Sequence, residues 1–138
     1  MILKGSLEPR EYQKKIAETA SSANTLVVLP TGLGKTMIAM MVAAKRLEQY
    51  PEGKVMILAP TKPLVLQHFE TFSQNLDLPA RALVVLTGTV DPGEREVMWL
   101  KARAIFATPQ TVFNDVRHGR VSLSEVTLAV FDVAHRSV

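Results

Sequence analysis

Gly32, Gly34, Lys35 and Thr36 are the residues whose types and spacing most clearly suit chemistry. They stand in Leu29-Pro-Thr-Gly-Leu-Gly-Lys-Thr36, between the short apolar run Thr25 to Leu29 and a strongly apolar stretch from Met37 to Ala44. Glycines at 32 and 34 let the backbone turn its N–H groups towards an anion, and a helix starting there adds the positive end of its dipole. The loop Thr31, Gly32, Leu33, Gly34 would thus cradle phosphate groups. Lys35 is placed to reach the β- and γ-phosphates of a nucleotide such as ATP, and the Thr36 hydroxyl can ligate Mg²⁺ bridging the same two groups. The strict pattern has Gly six residues before the lysine. Leu29 stands there, so the match is to a relaxed form. A glycine-rich turn with a surface lysine is the plainer alternative, and the flanking strand and helix patterns weigh against it.

Such a loop works only if a strand delivers it and a helix receives it. Five short apolar runs recur along the chain: Thr25 to Leu29, Val55 to Ala59, Ala82 to Leu86, Ala104 to Ala107 and Leu128 to Phe131. They are continuous rather than alternating, as expected of parallel strands covered by helices on both faces. Helical patterns fill the gaps, with Val65, Phe69, Phe72 and Leu76 on one face of a helix. Pro9 suits the first turn of a helix carrying Tyr12, Ile16 and Ala20 inward, and Asp91-Pro92-Gly93 marks a turn leading into a short helix through Trp99. His68 and Trp99 read as half-buried helix residues without a role. The alternation predicts an α/β fold with a mainly parallel sheet and right-handed crossovers, in which ligands sit at the carboxyl ends of the strands.

Length and composition bound the rest. No repeat, low-complexity stretch or interdomain linker interrupts the 138 residues, which read as one domain over 1–138. With 47% hydrophobic and 21% charged residues, the chain is neither a linker nor a disordered tail. No apolar run approaches the roughly 20 residues of a membrane-spanning helix, and the N-terminus MILKGSLEPR lacks the apolar core of a secretory signal. A cytoplasmic protein without a membrane partner is therefore expected. The absence of cysteine excludes disulfides and thiolate chemistry, and the three histidines lack the paired spacing of a zinc site. A net charge of +3 permits nucleic-acid binding without demanding it.

Further segments fall at the ends of the later strands in a telling order: Arg10-Glu-Tyr-Gln13, Ala59-Pro-Thr-Lys-Pro-Leu-Val-Leu-Gln-His68, Ala107-Thr-Pro-Gln110 and Phe131-Asp-Val-Ala-His-Arg136. With the phosphate loop, they make the chain resemble superfamily 2 helicases of the DEAD/DEAH type. Within these it is most similar to the archaeal Hef helicase/nuclease group, related to the Fanconi anaemia group M helicase. The resemblance covers essentially the whole chain. It implies the first RecA-like, ATP-binding P-loop domain of a DNA helicase, ending just after the Asp-Glu-Ala-His box and so C-terminally incomplete. A second RecA-like domain is expected in full-length relatives.

The resemblance also assigns roles. Gln13, assisted by Arg10, would select the adenine of ATP; an amide can offer a donor and an acceptor to one base edge, and a guanidinium can stack on its face. Asp132 would hold Mg²⁺ with Thr36, and His135 would couple the nucleotide site to neighbouring motifs. Thr61, Lys62, Gly88 and Thr108 would track a single-strand DNA backbone, which fixes register without reading sequence. Helix capping alone is the bland reading of Thr61 and Thr108, and a surface lysine that of Lys62.

Two departures qualify the resemblance. The family's glutamate, which orients and activates the attacking water, is replaced by Val133. Losing a positioned general base costs on the order of 10² to 10⁴ in rate, so hydrolysis should be severely impaired while nucleotide binding need not suffer. The chain also ends before the second motor domain, whose arginine finger is worth roughly 10³ to 10⁵ in turnover. An incomplete sheet is expected to favour self-association or marginal stability. Two readings stand: a motor-domain part that binds ATP and DNA, and a non-catalytic module in which nucleotide only stabilises a binding surface. A small-molecule P-loop kinase would need an acceptor pocket and lid for which no sequence feature speaks.

Overall fold

The computed structural model describes residues 25–29 and 33–132. Strands β1 (Thr25–Leu29), β2 (Lys54–Leu58), β3 (Leu83–Leu86), β4 (Ala104–Ala107) and β5 (Val126–Asp132) alternate with helices α1 (Leu33–Gln49), α2 (Lys62–Asn75), α3 (Pro92–Lys101) and α4 (Pro109–Arg117). A single 3-10 turn, Ala80–Ala82, precedes β3 and takes Ala82 out of the strand expected to begin there. The helix expected after Pro9 lies outside the described residues.

Local chemistry accounts for the helix starts. Proline stands in the first turn of α2, α3 and α4, where its fixed φ suits a helix and its missing N–H is no loss. The Asp91 carboxylate accepts from Gly93 N at 3.1 Å and so caps α3. The turn anticipated at Asp91-Pro92-Gly93 is therefore the helix start itself.

All five strands run parallel in the order β1-β5-β2-β4-β3. Side chains alternate across this sheet and build a core on each face. Val55, Ile57, Phe106, Leu128 and Val130 pack with Ala39, Ala43, Val65 and Phe72 of α1 and α2. Met56, Leu58, Ile105, Ala129 and Phe131 pack with Trp99 of α3, Val112 of α4 and the Val121–Leu123 segment. The α/β sheet with helices on both faces is thus as the apolar runs predicted, because strands buried on both sides leave no polar positions to alternate. Trp99, expected half-buried, is fully inside.

Basic side chains fasten the amino end of the sheet. Arg103 donates to Gly53 O, Leu47 O and Tyr50 O at 2.8–3.0 Å, placing a cation on the carbonyl end of α1. Arg46 donates to Thr127 O. The buried Lys54 ammonium donates to Ala102 O at 2.8 Å. Burial pushes its pKa down, and the Glu125 carboxylate 3.8 Å away offsets part of that. Gly53 permits the close approach, since a Cβ there would stand 2.7 Å from Thr127 Cγ2.

Phe106 is the keystone of the face covered by α2. Its ring meets Phe69 at 5.6 Å and Phe72 at 5.4 Å, both edge-on, the geometry favoured by the aromatic quadrupole. Phe106→Ala is expected to cost about 3 to 5 kcal/mol, read as a lowered urea midpoint with the slope unchanged.

Candidate functional site

Parallel registers bring the strand ends level. Leu29 pairs with Asp132, Leu58 with both Phe131 and Ala107, and Leu86 with Ala107. Along the carboxyl edge the chain therefore presents, in order, the end of β1 at Leu29, then Asp132, the start of α2, Thr108 and the loop after Leu86. Residues far apart in sequence become neighbours because strand pairing, not chain order, sets the edge.

At one end, β1 ends at Leu29 and α1 begins at Leu33, its first turn holding Leu33, Gly34, Lys35 and Thr36. A strand followed within four residues by a helix is the setting a phosphate loop requires. Arg10, Gln13, Thr31, Gly32, Val133 and His135 lie outside the described residues. Asp132 ends β5 beside Leu29 and is only partly exposed. Alternation along β5 puts it on the face of Leu128 and Val130, which α1 and α2 cover. There Asp132 Oδ2 accepts from His68 Nε2 at 2.5 Å. An ionised carboxylate only accepts, so the imidazole presents Nε2–H. His68, expected half-buried and without a role, is buried and bonded to the residue expected to hold Mg²⁺.

At the other end lie Thr61, Lys62, Gly88 and Thr108. The exposed Thr61 hydroxyl accepts from Leu64 N at 3.4 Å, a long cap on α2. Lys62 Nζ donates to Thr89 Oγ1 at 3.4 Å, and Thr89 Oγ1 lies 2.9 Å from Thr87 Oγ1. Lys62 is an exposed lysine that reaches across to the loop after β3. Gly88 is exposed, and a Cβ there would meet nothing within 4 Å. Thr108 departs from the capping alternative: its hydroxyl pairs with Thr111 Oγ1 at 2.8 Å, and no side chain caps α4.

Beneath this end sits an ion cluster that the sequence reading passed over. Arg95 of α3 donates through Nε and Nη2 to the two carboxylate oxygens of Asp115 in α4, each at 2.7 Å, and through Nη1 to Val90 O at 2.5 Å. It therefore ties α4, which begins after Thr108, to the loop that holds Gly88. Gly119, with φ 72°, allows the reversal after α4 in which Gly119 N bonds Val116 O and Arg120 N bonds Asp115 O. That turn returns the Arg120 guanidinium to Asp115 at 2.9 Å. The signal was present in the spacing: Arg95 shares the helical face of Trp99, and Asp115 that of Thr111 and Val112, so each helix carries one charge on its buried side. Burial alone would push the Asp115 carboxyl up; hydrogen bonds from Arg95 and Arg120, with their charges, outweigh it and hold the pKa below the usual 3.8. The Asp115 hydrogen bond in turn raises the Arg95 pKa.

An all-parallel, two-faced sheet with its candidate residues gathered on the carboxyl edge is that of a RecA-like α/β domain. The DEAD/DEAH box helicase family model matches residues 10–138, and the chain belongs to that family. It is 54% identical to the Pyrococcus furiosus Hef helicase domain, whose crystal structure superposes with a TM-score of 0.71 over 89% of this chain and 26% of that one. It is 42% identical over 137 residues to MJ1505 of Methanocaldococcus jannaschii, named as an ATP-dependent RNA helicase, covering 99% of this chain and 18% of that protein. It is 40% identical over 140 residues to the DEAD-box ATP-dependent DNA helicase Fancm of Drosophila melanogaster, covering 99% of this chain and 9% of that protein. The relatives are thus Fanconi anaemia group M and Hef-like helicases, of which this chain spans less than a fifth of the curated proteins' length. No described helix is long and apolar enough to cross a membrane.

Removing the central carboxylate tests the cluster. Asp115→Asn leaves two guanidinium groups facing an amide and should cost about 3 to 5 kcal/mol, seen as a lowered urea midpoint. The sign with pH follows from the depressed folded-state pKa. Ionised Asp115 contributes stability that is complete well above pH 3.8 and is lost as pH falls through that value and on through the lower folded one. Acid titration of the variant should show a correspondingly shallower loss of stability over that window.

Proposed function

We propose that this chain is the ATP- and DNA-binding part of the first motor domain of a Hef-like helicase, with residues 1–138 forming that part and a second RecA-like domain completing the motor. The observation that carries the reading is the register Leu29↔Asp132, which sets the β5 carboxylate beside the strand that feeds the phosphate loop. The donor set fits a nucleotide with its magnesium ion. Backbone groups of Thr31, Gly32, Leu33 and Gly34 would take the phosphates, Lys35 the β- and γ-oxygens, and Thr36 with Asp132 the metal. Arg10 and Gln13 would select adenine, and His135 would link the site to its surroundings. Bound magnesium supplies neutralisation of charge on the phosphates. The protein's share is to aim dipoles and a cation at that charge from a helix N-terminus.

Thr61, Lys62, Gly88 and Thr108 would hold the DNA backbone. Their loops stand side by side on β2, β4 and β3, and the two loops at residues 87–91 and 108 are braced from below by Arg95 and Asp115. Contacts of this kind add affinity that falls with salt and does not depend on base sequence. The likeness to Fancm of Drosophila melanogaster, named as a DNA helicase, supports DNA, whereas MJ1505 is named as an RNA helicase.

Val133 favours a second reading, a module that binds nucleotide without hydrolysing it. Valine can neither accept a proton nor hold a water. ATP affinity with Mg²⁺, measured by calorimetry, should be lost in Lys35→Ala; equal binding by the variant and the parent would defeat the phosphate-loop assignment. In a two-domain polypeptide, Val133→Glu should raise DNA-stimulated hydrolysis by on the order of 10² or more. Unchanged turnover there would leave the non-catalytic module as the better reading.

A further inference from the structure

The contact between His68 and Asp132 joins two regions that the proposed function treats separately. His68 lies seven residues after Thr61, about 10 Å along α2, on the buried face with Val65 and Phe72. Its ring meets Phe72 edge-on at 6.5 Å, and Phe72 in turn meets Phe106 of β4. The imidazole is therefore held by the core, with its Nε2–H directed at Asp132 Oδ2. The two side chains are only 9% and 10% exposed, so water competes little for the bond. A carboxylate accepts along defined lone-pair directions on two oxygens, so a bond from a core-held imidazole restrains its orientation.

We propose that His68 is a positioning residue for the Asp132 carboxylate: it sets the orientation in which Asp132 receives the metal of a bound nucleotide and fastens that carboxylate to α2. The inference rests on the nucleotide reading given above. Its physical basis is general, because a group that hydrogen-bonds a metal ligand orients it, and loss of such a partner weakens metal binding by about 10- to 100-fold. Since α2 opens with Thr61 and Lys62, any displacement of that helix is transmitted to the carboxylate through a core-braced ring.

The test uses the 138-residue chain loaded with ATP, with Mn²⁺ as the probe, read by the electron paramagnetic resonance of free Mn²⁺. In parallel, ATP affinity is measured without divalent metal. His68→Phe keeps an aromatic ring and removes the donor; His68→Met serves as a second donor-free variant should the ring replacement disturb Phe72. His68→Gln retains an amide donor near the position of Nε2. Mn²⁺ affinity should fall by about tenfold or more in the donor-free variants and recover in His68→Gln, with metal-free ATP affinity unchanged. In an Asp132→Asn background, the donor-free substitutions should have no further effect on Mn²⁺, the signature of a residue that acts through another. Undiminished Mn²⁺ affinity in both donor-free variants overturns the proposal, as does a loss that persists in the Asp132→Asn background or reduces metal-free ATP binding equally. Failure of the parent chain to bind ATP at all overturns the nucleotide reading and this inference with it, and is recognised by the metal-free measurement alone.

Discussion

Every strand of this sheet points the same way, and the rest of the molecule follows from that constraint. A parallel ladder forces each strand to leave at one edge and return by a crossover on a face. All strand-to-helix turns therefore crowd the carboxyl edge, while the returning connections gather at the opposite one. The chain uses the two edges differently. At the amino edge, Arg46, Lys54 and Arg103 spend their donors on backbone carbonyls, closing the ends of α1 and the sheet. At the carboxyl edge lie the helix starts, the exposed Thr61 and Gly88 and, partly covered by His68, the Asp132 carboxylate, groups that suit anions and metal-bearing ligands.

Burial on both faces sets the conditions for the polar residues inside. Water is excluded from both cores, so each buried charge needs a partner. Asp115 has two guanidinium partners, Arg95 is satisfied by both carboxylate oxygens and a carbonyl, and His68 by Asp132. These groups do more than satisfy one another. Arg95 and Asp115 join α3 to α4 beneath the loops that hold Gly88 and Thr108, and His68 joins α2 to β5. The polar contacts thus tie together elements whose outer ends carry the candidate ligand contacts, so the loops are held from inside the domain.

Membership of the DEAD/DEAH box helicase family gives these arrangements a common setting. The family's box needs a carboxylate for metal and a carboxylate for water. On the proposed nucleotide reading, Asp132 at the end of β5 would supply the first, and Val133 would leave the second position without a base. Binding and turnover would be separable in such a site, because phosphate recognition would draw on backbone groups and Lys35, whereas water activation needs a base at one position.

Local signals carried much of this into the sequence. Continuous Val, Leu, Ile and Ala runs marked five strands to within two residues at either end, since a strand buried on both faces has no polar alternative. Proline and Asp91 marked helix starts, because their effects are confined to the adjoining turn. Strand order was not legible, because ladder hydrogen bonds are made by backbone alone and similar apolar strands are interchangeable to them. Only the packed fold inserts β5 between β1 and β2 and so sets Asp132 beside Leu29. It likewise decides that His68 reaches Asp132 and that Arg95 reaches Asp115. Each of these depends on which helix face meets which strand, a property of the whole core that no local stretch of sequence encodes.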